Sequence, residues 1–140
     1  MIELLFFAYR DFVGDADAEL EQYGFGRAHH RVLHFVMRRP GIAVADLLHI
    51  LAITKQSLNP ILRQLTETGY LQMTSDPRDR RRRLLRLTES GRNLALRLTQ
   101  MQSRRIARAL DESAAGAGAR GAVEDFLLAM IEPDERGFVS

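Results

Sequence analysis

Arginine is concentrated in one short part of the sequence, between Thr74 and Gly91. Two aspartates, Asp76 and Asp79, stand among the arginines, and an apolar run follows them. The arginines are Arg78, Arg80, Arg81, Arg82, Arg83 and Arg86. Guanidinium groups make bidentate contacts with phosphate and with the edge of guanine, so this composition indicates a polyanionic partner. Charge alone leaves two alternatives open, a solvated loop without a partner and a biased genome composition.

A second polar group precedes the arginines. Its members are Thr54, Lys55, Gln56, Ser57, Asn59 and Arg63. Leu58, Leu62 and Leu65 recur between them at helical spacing, so the polar side chains should share the outward face of a helix. Glutamine and asparagine can read adenine bidentately, whereas lysine and arginine suit phosphate. Ordinary surface polarity is the alternative interpretation.

Pro60 lies inside this predicted helix, for which Thr54 is a good N-cap. A proline in the interior of a helix costs about 3 kcal/mol. We therefore expect either a kink near Gln56 or a regular helix that starts later, around Ser57.

Histidines form a third group of candidate residues. His30 and His34 are four residues apart, a spacing that can place two imidazoles on one metal ion. The chain has no cysteine, and the surrounding predicted helix offers no carboxylate at a matching spacing. We therefore expect no metal cofactor, and packing or the lining of a pocket is the alternative role of these histidines.

Aromatic side chains near the N-terminus could line a pocket for an aromatic acid. The candidate residues for such an effector site are Tyr9, Arg10, His30 and His34. The alternative explanation is that the aromatic residues of this helix belong to a core or a dimer interface; they are Phe6, Phe7, Tyr9 and Phe12.

Charge is unevenly distributed along the chain. Residues 1–24 carry one basic and six acidic side chains, residues 25–110 carry 17 and five, and residues 111–140 carry two and seven. A basic centre between two acidic ends indicates a localised face for a polyanion.

The composition limits the kinds of protein that the chain can be. Its 140 residues suit one compact domain, and 46% hydrophobic residues exclude a disordered chain. No apolar run approaches the roughly 18 residues of a membrane span, and the N-terminus lacks a signal peptide's features. The absence of cysteine excludes disulfides and thiol chemistry. We expect a cytoplasmic protein.

Periodicity and turn residues predict the elements that must position these groups. Helices are expected over residues 2–20, 27–39, 44–51, 54–68 and 88–110, and a final helix follows a loop over residues 114–121. Residues 70–73 and 83–87 are expected to form a β-hairpin with the arginines at its tip, and the tail from Pro133 should be loose. The order predicts a winged helix-turn-helix, in which a helix enters the major groove and the hairpin reaches a neighbouring minor groove.

Two sequence motifs resemble those of the MarR family of transcriptional regulators. The wing text from Asp76 to Arg81, with Leu87-Thr88 and Gly91 beyond it, is similar to that family's DxRDRR…LTxxG signature. The segment from Ile53 to Leu71 resembles its recognition-helix pattern. The resemblance covers essentially the whole chain.

This resemblance implies a mainly α fold with a small β-hairpin, in which a winged helix-turn-helix carries N- and C-terminal dimerisation helices. Residues 1–140 would form one domain, with residues 1–39 and 92–132 as the helical dimerisation layer and residues 40–91 as the DNA-binding lobe. It also implies a homodimer on a pseudo-palindromic operator, usually a repressor that a small-molecule effector releases. Some members of the family sense zinc.

The resemblance assigns roles to the wing residues as well. Asp79 would brace Arg81 by a charge-assisted hydrogen bond, and Arg81 would enter the minor groove. The other wing arginines, Arg78, Arg80, Arg82 and Arg83, would then contact phosphate or groove.

Two other kinds of protein compete with a DNA-binding regulator. A winged helix can also serve as a module that binds protein or RNA, although the wing motif and the separated charges favour DNA. An enzyme is not expected, because the sequence lacks a glycine-rich phosphate loop, an HExxH pattern and a nucleophile elbow.

Overall fold

The computed structural model describes residues 1–139 and is mainly helical. The helices are α1 (Ile2–Glu21), α2 (Arg27–Arg38), α3 (Val44–Leu51), α4 (Lys55–Glu67), α5 (Glu89–Glu112) and α6 (Ala119–Met130). The strands are β1 (Ile42–Ala43), β2 (Leu71–Ser75) and β3 (Arg83–Leu87), and two 3₁₀ helices span Gly116–Gly118 and Arg136–Phe138. The chain forms two compact units, Met1–Gln102 and a second one from Ser103 onward.

The predicted helices and the hairpin are confirmed, with differences at three places. The two-residue strand β1 was not predicted, since so short a strand leaves no pattern. Helix α6 begins at Ala119, inside the stretch expected to be a loop, because Ala119 and Arg120 are good helix formers. The tail expected to be loose contains the 3₁₀ helix Arg136–Phe138.

The sheet is antiparallel in the order β1-β3-β2. Leu85 of the central strand pairs with Ile42 on one side and with Met73 on the other. Because Leu85 is fully buried, the sheet joins the core of the first unit through its middle strand. Beyond the paired residues, β2 and β3 continue into the arginine-rich loop.

Apolar residues of α1 to α5 and of the sheet form the core of the first unit. Its largest fully buried side chains are Leu20, Leu33, Leu47, Leu58, Leu62, Leu65, Leu71, Leu85, Leu94 and Leu98. The three buried leucines of α4 face this core, so the opposite side of α4 is presented outward.

The LTxxG part of the predicted motif fixes the base of the hairpin. The Thr88 hydroxyl donates to the carbonyl oxygen of Gly69 (2.6 Å) and accepts from the amide of Gly91 (3.0 Å). A Cβ on Gly91 would lie 1.9 Å from the carbonyl oxygen of Tyr70. Glycine is therefore required here because the first turn of α5 passes directly against the start of β2.

Helix α1 is buried along one half only. Val13, Ala16 and Leu20 are buried, whereas Ile2 is 86% exposed and Phe6 is 62% exposed. The predicted apolar face of α1 is therefore present, but the first unit covers only its C-terminal half.

Candidate nucleic-acid interface

Helix α4 begins at Lys55, with Thr54 as its N-cap. The Thr54 hydroxyl accepts from the amide of Ser57 (3.1 Å) and donates to the Ser57 hydroxyl (3.0 Å). Of the two expectations that Pro60 raised, the later start around Ser57 is therefore wrong, and the kink near Gln56 stays a prediction. A side-chain oxygen at the N-cap satisfies an amide that has no partner within the helix, which stabilises this early start.

Pro60 is accommodated inside α4, on its exposed side. Proline has no amide hydrogen to donate to the carbonyl oxygen of Gln56, four residues earlier. Since Gln56 is exposed, water can satisfy that carbonyl instead.

The outward face of α4 carries the predicted polar residues. Lys55, Gln56, Ser57, Asn59 and Arg63 are all exposed, as is the capping Thr54. The structure thus brings these side chains to one accessible surface, which has amide groups suited to base edges and cations suited to phosphate.

The loop between β2 and β3, residues 76–82, is closed by main-chain hydrogen bonds. The Asp76 amide donates to the Arg82 carbonyl oxygen (2.8 Å), and the Arg82 amide donates to that of Asp79 (2.9 Å). We call this loop together with Arg83 the wing. The arginines therefore sit on a loop of defined shape.

Both aspartates of the wing shape its backbone. Asp76 accepts from the amide of Arg78 (2.9 Å), and Asp79 accepts from the amide of Arg81 (3.0 Å). These are the local turns that aspartate favours. The Asp79 carboxylate thus bonds the main chain of Arg81, which sets the direction in which this residue leaves the loop.

One wing arginine has a partner within the first unit. The guanidinium of Arg82 donates to Asp46 of α3 (3.0 Å), and both side chains are exposed. Arg78, Arg80, Arg81 and Arg83 are exposed as well. Sequence analysis missed Asp46, because a partner 36 residues away in the chain leaves no local pattern.

Two of the candidate effector residues, Tyr9 and Arg10, lie on α1 and have different partners. Tyr9 accepts a hydrogen bond from Arg31 (3.3 Å), and the guanidinium of Arg27 lies 5.7 Å from its ring centre. Arg10 instead pairs with its neighbour Asp11 (2.9 Å) and lies over the Phe7 ring.

His30 is buried and His34 is half-buried on α2. Burial lowers the pKa of His30, and the proximity of His34 adds to this effect. Burial likewise lowers the pKa of His34, with Arg38 contributing. Both imidazoles therefore favour the neutral form. Their contribution to stability is complete above about pH 6.5, the usual histidine pKa, and is lost as the pH falls towards the lowered values.

Within residues 1–139, no group of three or more histidine, aspartate or glutamate side chains is arranged to hold a metal ion. Nor does any helix of that part combine the length and the apolar character that crossing a membrane requires.

A helix-turn-helix formed by α3 and α4, flanked by an arginine-bearing wing, defines a winged-helix DNA-binding regulator. The family model described as MarR family matches residues 23–82. The HTH-type transcriptional regulator PetP of Rhodobacter capsulatus is 44% identical over 135 residues, which are 96% of this chain and 80% of that protein. The chain belongs to the MarR family of transcriptional regulators.

Solved structures agree on the fold. The Streptococcus pneumoniae FabT structure, a complex with DNA, has a TM-score of 0.79 at 15% identity, covering 91% of this chain and 90% of that one. The PcaV transcriptional regulator of Streptomyces coelicolor, in complex with its natural ligand, has a TM-score of 0.67 at 22% identity, covering 90% and 85%.

Proposed function

We propose that this regulator is a homodimer that binds a pseudo-palindromic operator and represses transcription until a small molecule releases it. The observation that carries the proposal is the pairing of two surfaces in the first unit. One is the outward polar face of α4, and the other is the wing, whose backbone is fixed by Asp76 and Asp79.

On the DNA, the two surfaces have different tasks. Gln56 and Asn59 read base edges in the major groove, and Arg81 enters the adjacent minor groove, where the negative potential attracts a guanidinium. The remaining polar residues anchor the protein to phosphates and groove edges. They are Thr54, Lys55, Ser57, Arg63, Arg78, Arg80, Arg82 and Arg83.

The exposed apolar faces support a dimer. The N-terminal half of α1 leaves Met1, Ile2, Leu4 and Phe6 open to water. In the second unit, α6 does the same with Val123, Phe126, Leu127 and Met130. Exposed apolar helix faces of this kind mark interfaces, and a second copy covers each of them in this proposal. Residues 1–39 and 92–132 then form the dimerisation layer, and residues 40–91 form the DNA-binding lobe.

The effector site of the proposal lies at helices α1 and α2. Tyr9, His30 and His34 are its candidates, with Arg31 added by its hydrogen bond to Tyr9. The solved structure of PcaV, which has the same fold, is a complex with its natural ligand. Arg10 is a further candidate, and its described contacts are with Asp11 and Phe7.

Selection of bound sequences from a pool of random duplex DNA tests the function. We expect enrichment of two inverted half-sites whose centres lie about one helical turn apart, roughly 34 Å. An enriched site without two-fold symmetry would contradict the dimer. No enrichment, with binding retained to protein or RNA, would favour an interaction module instead.

A further inference from the structure

Gln64 is a polar residue on α4 that does not belong to the outward face. It is half-buried, and its side-chain oxygen lies 2.7 Å from Nε2 of His29. His29 belongs to α2 and is itself buried. A directional hydrogen bond thus connects the proposed recognition helix with α2.

The His29 ring is held on two further sides. Its Nδ1 accepts from the amide of Gly26 (3.0 Å), and its ring stacks on Phe25 with 4.7 Å between centres. Because Nδ1 accepts, the neutral ring carries its hydrogen on Nε2 and donates to Gln64. The Gln64 amide nitrogen can then donate to the carbonyl oxygen of Gly24 (3.4 Å).

The same turn between α1 and α2 contacts the start of β2. Phe25 meets Tyr70 edge to face, with 5.4 Å between ring centres. The carbonyl oxygen of Tyr70 accepts from the amide of Thr88 at the base of the hairpin (3.2 Å). Residues 24–29 therefore contact both α4 and the strand that leads into the wing.

Apolar packing alone fixes α4 incompletely. Burial of Leu58, Leu62 and Leu65 sets the depth of the helix, but the hydrophobic effect is non-directional and tolerates small rotations and shifts. A hydrogen bond weakens steeply when its angle changes, so it can fix the rotation about the helix axis.

We propose that His29 and Gln64 are a positioning pair, which fixes the rotation of α4 so that its reading face and the wing meet one duplex in register. The proposal rests on the operator-binding function proposed above. His29 and Gln64 need not touch DNA. Their effect is on the discrimination between operator and random DNA, because contacts with phosphate tolerate small rotations of the helix and contacts with base edges do not.

Three single variants and the double variant His29→Phe/Gln64→Leu test the pair. Gln64→Leu removes the acceptor of the His29 hydrogen bond with little change in side-chain size. His29→Phe keeps an aromatic ring stacked on Phe25 but removes the hydrogen bonds to Gly26 and Gln64. Gln64→Glu keeps an acceptor for Nε2 of His29. Dissociation constants are measured by fluorescence anisotropy for the selected operator and for random duplex of equal length, together with melting temperatures.

We expect Gln64→Leu and His29→Phe each to lower the ratio of operator to random-DNA affinity by about tenfold, the scale of one lost reading contact. In the double variant the affinity ratio should fall no further than in either single variant, because each single variant already breaks the hydrogen bond between His29 and Gln64. Gln64→Glu should keep most of the ratio, although its added negative charge weakens binding to both DNAs alike.

A purely structural role predicts something different. The melting temperature would fall while the ratio in the folded protein stayed within about twofold of wild type, and that result would overturn the proposal. A Gln64→Glu variant with a ratio as low as that of Gln64→Leu would overturn it too. If the wild-type protein itself shows no preference for any sequence, the operator-binding function fails instead, which separates the two outcomes.

Discussion

The wing and α4 are the two parts of the proposed interface, and they are held in place by different forces. The wing is shaped by short-range hydrogen bonds, above all those that the amides of Arg78 and Arg81 donate to the carboxylates of Asp76 and Asp79. Helix α4 is held by buried leucines and by a bond to His29, which is 35 residues away in sequence. The wing therefore carries its own geometry, whereas α4 depends on the core behind it.

This difference explains where substitutions should act. A change to a wing side chain should alter DNA binding and leave folding intact, because few core contacts involve it. A change behind α4 or at the base of the hairpin should alter stability or discrimination. Four substitutions test this contrast, and they are ordered from the largest expected effect to the smallest.

Gly91→Ala should have the largest effect, and it should act on stability. The new Cβ would lie 1.9 Å from the Tyr70 carbonyl oxygen, so the backbone must move. We expect a loss of about 3 kcal/mol in the free energy of unfolding, measured by urea denaturation. The matched control is Gly14→Ala, where a Cβ meets nothing within 4 Å and a gain of about 0.5–1 kcal/mol is expected in a helix. Equal stability of the two variants would argue against the close approach at Gly91.

Arg81→Ala should weaken operator binding by at least about tenfold, or about 1.4 kcal/mol. The guanidinium is exposed, so we expect the melting temperature and the dimer to be unchanged. Anisotropy titrations and size-exclusion chromatography measure the two properties. Arg120→Ala, which removes an equal charge from α6, is the control and should bind like wild type. If Arg81→Ala binds the operator with wild-type affinity, the assignment of Arg81 to the minor groove is refuted.

Asp79→Ala separates positioning from charge. Simple electrostatics predicts tighter binding, because an acidic group near the phosphates is lost. The structure predicts the opposite, since the Arg81 amide loses its side-chain acceptor and the wing becomes less ordered. We expect about fivefold weaker operator binding, within the range for one lost hydrogen bond. An increase in operator affinity would mean that the Asp79 bond does not direct Arg81.

Asp46→Asn should have the smallest effect. It breaks the ion pair with Arg82, but both side chains are exposed, and such pairs contribute about 0–1 kcal/mol. We expect a change in operator affinity of less than about threefold. A tenfold loss in the same titration would show that the wing depends on α3 as strongly as on its own turns.

The same contrast separates what could be predicted from the sequence from what could not. The cap at Thr54, the end of the helix after residue 68 and the hairpin depend on nearby residues, so periodicity and turn chemistry predicted them. The partners Asp46 for Arg82 and His29 for Gln64 are distant in sequence and leave no such pattern. The later start that Pro60 suggested is wrong, because the cap at Thr54 and the buried leucines keep α4 helical from Lys55 onward.

Helix α1 illustrates a further limit of the sequence. Its apolar positions keep the same spacing from Ile2 to Leu20, and periodicity therefore predicts one continuous buried face. The first unit buries only the C-terminal half. Periodicity shows that a face is apolar, but not which chain covers it.

The most direct test asks whether α4 and the wing of one chain meet the same half-site. The chain has no cysteine, so Lys55→Cys and Arg80→Cys each provide a single attachment point for an iron chelate that cleaves nearby DNA. On the selected operator, we predict two clusters of cuts within each half-site, about five base pairs apart, which is half a helical turn. Cuts from the wing reagent that are scattered along the duplex, or that lie more than a full turn from those of α4, would contradict the account.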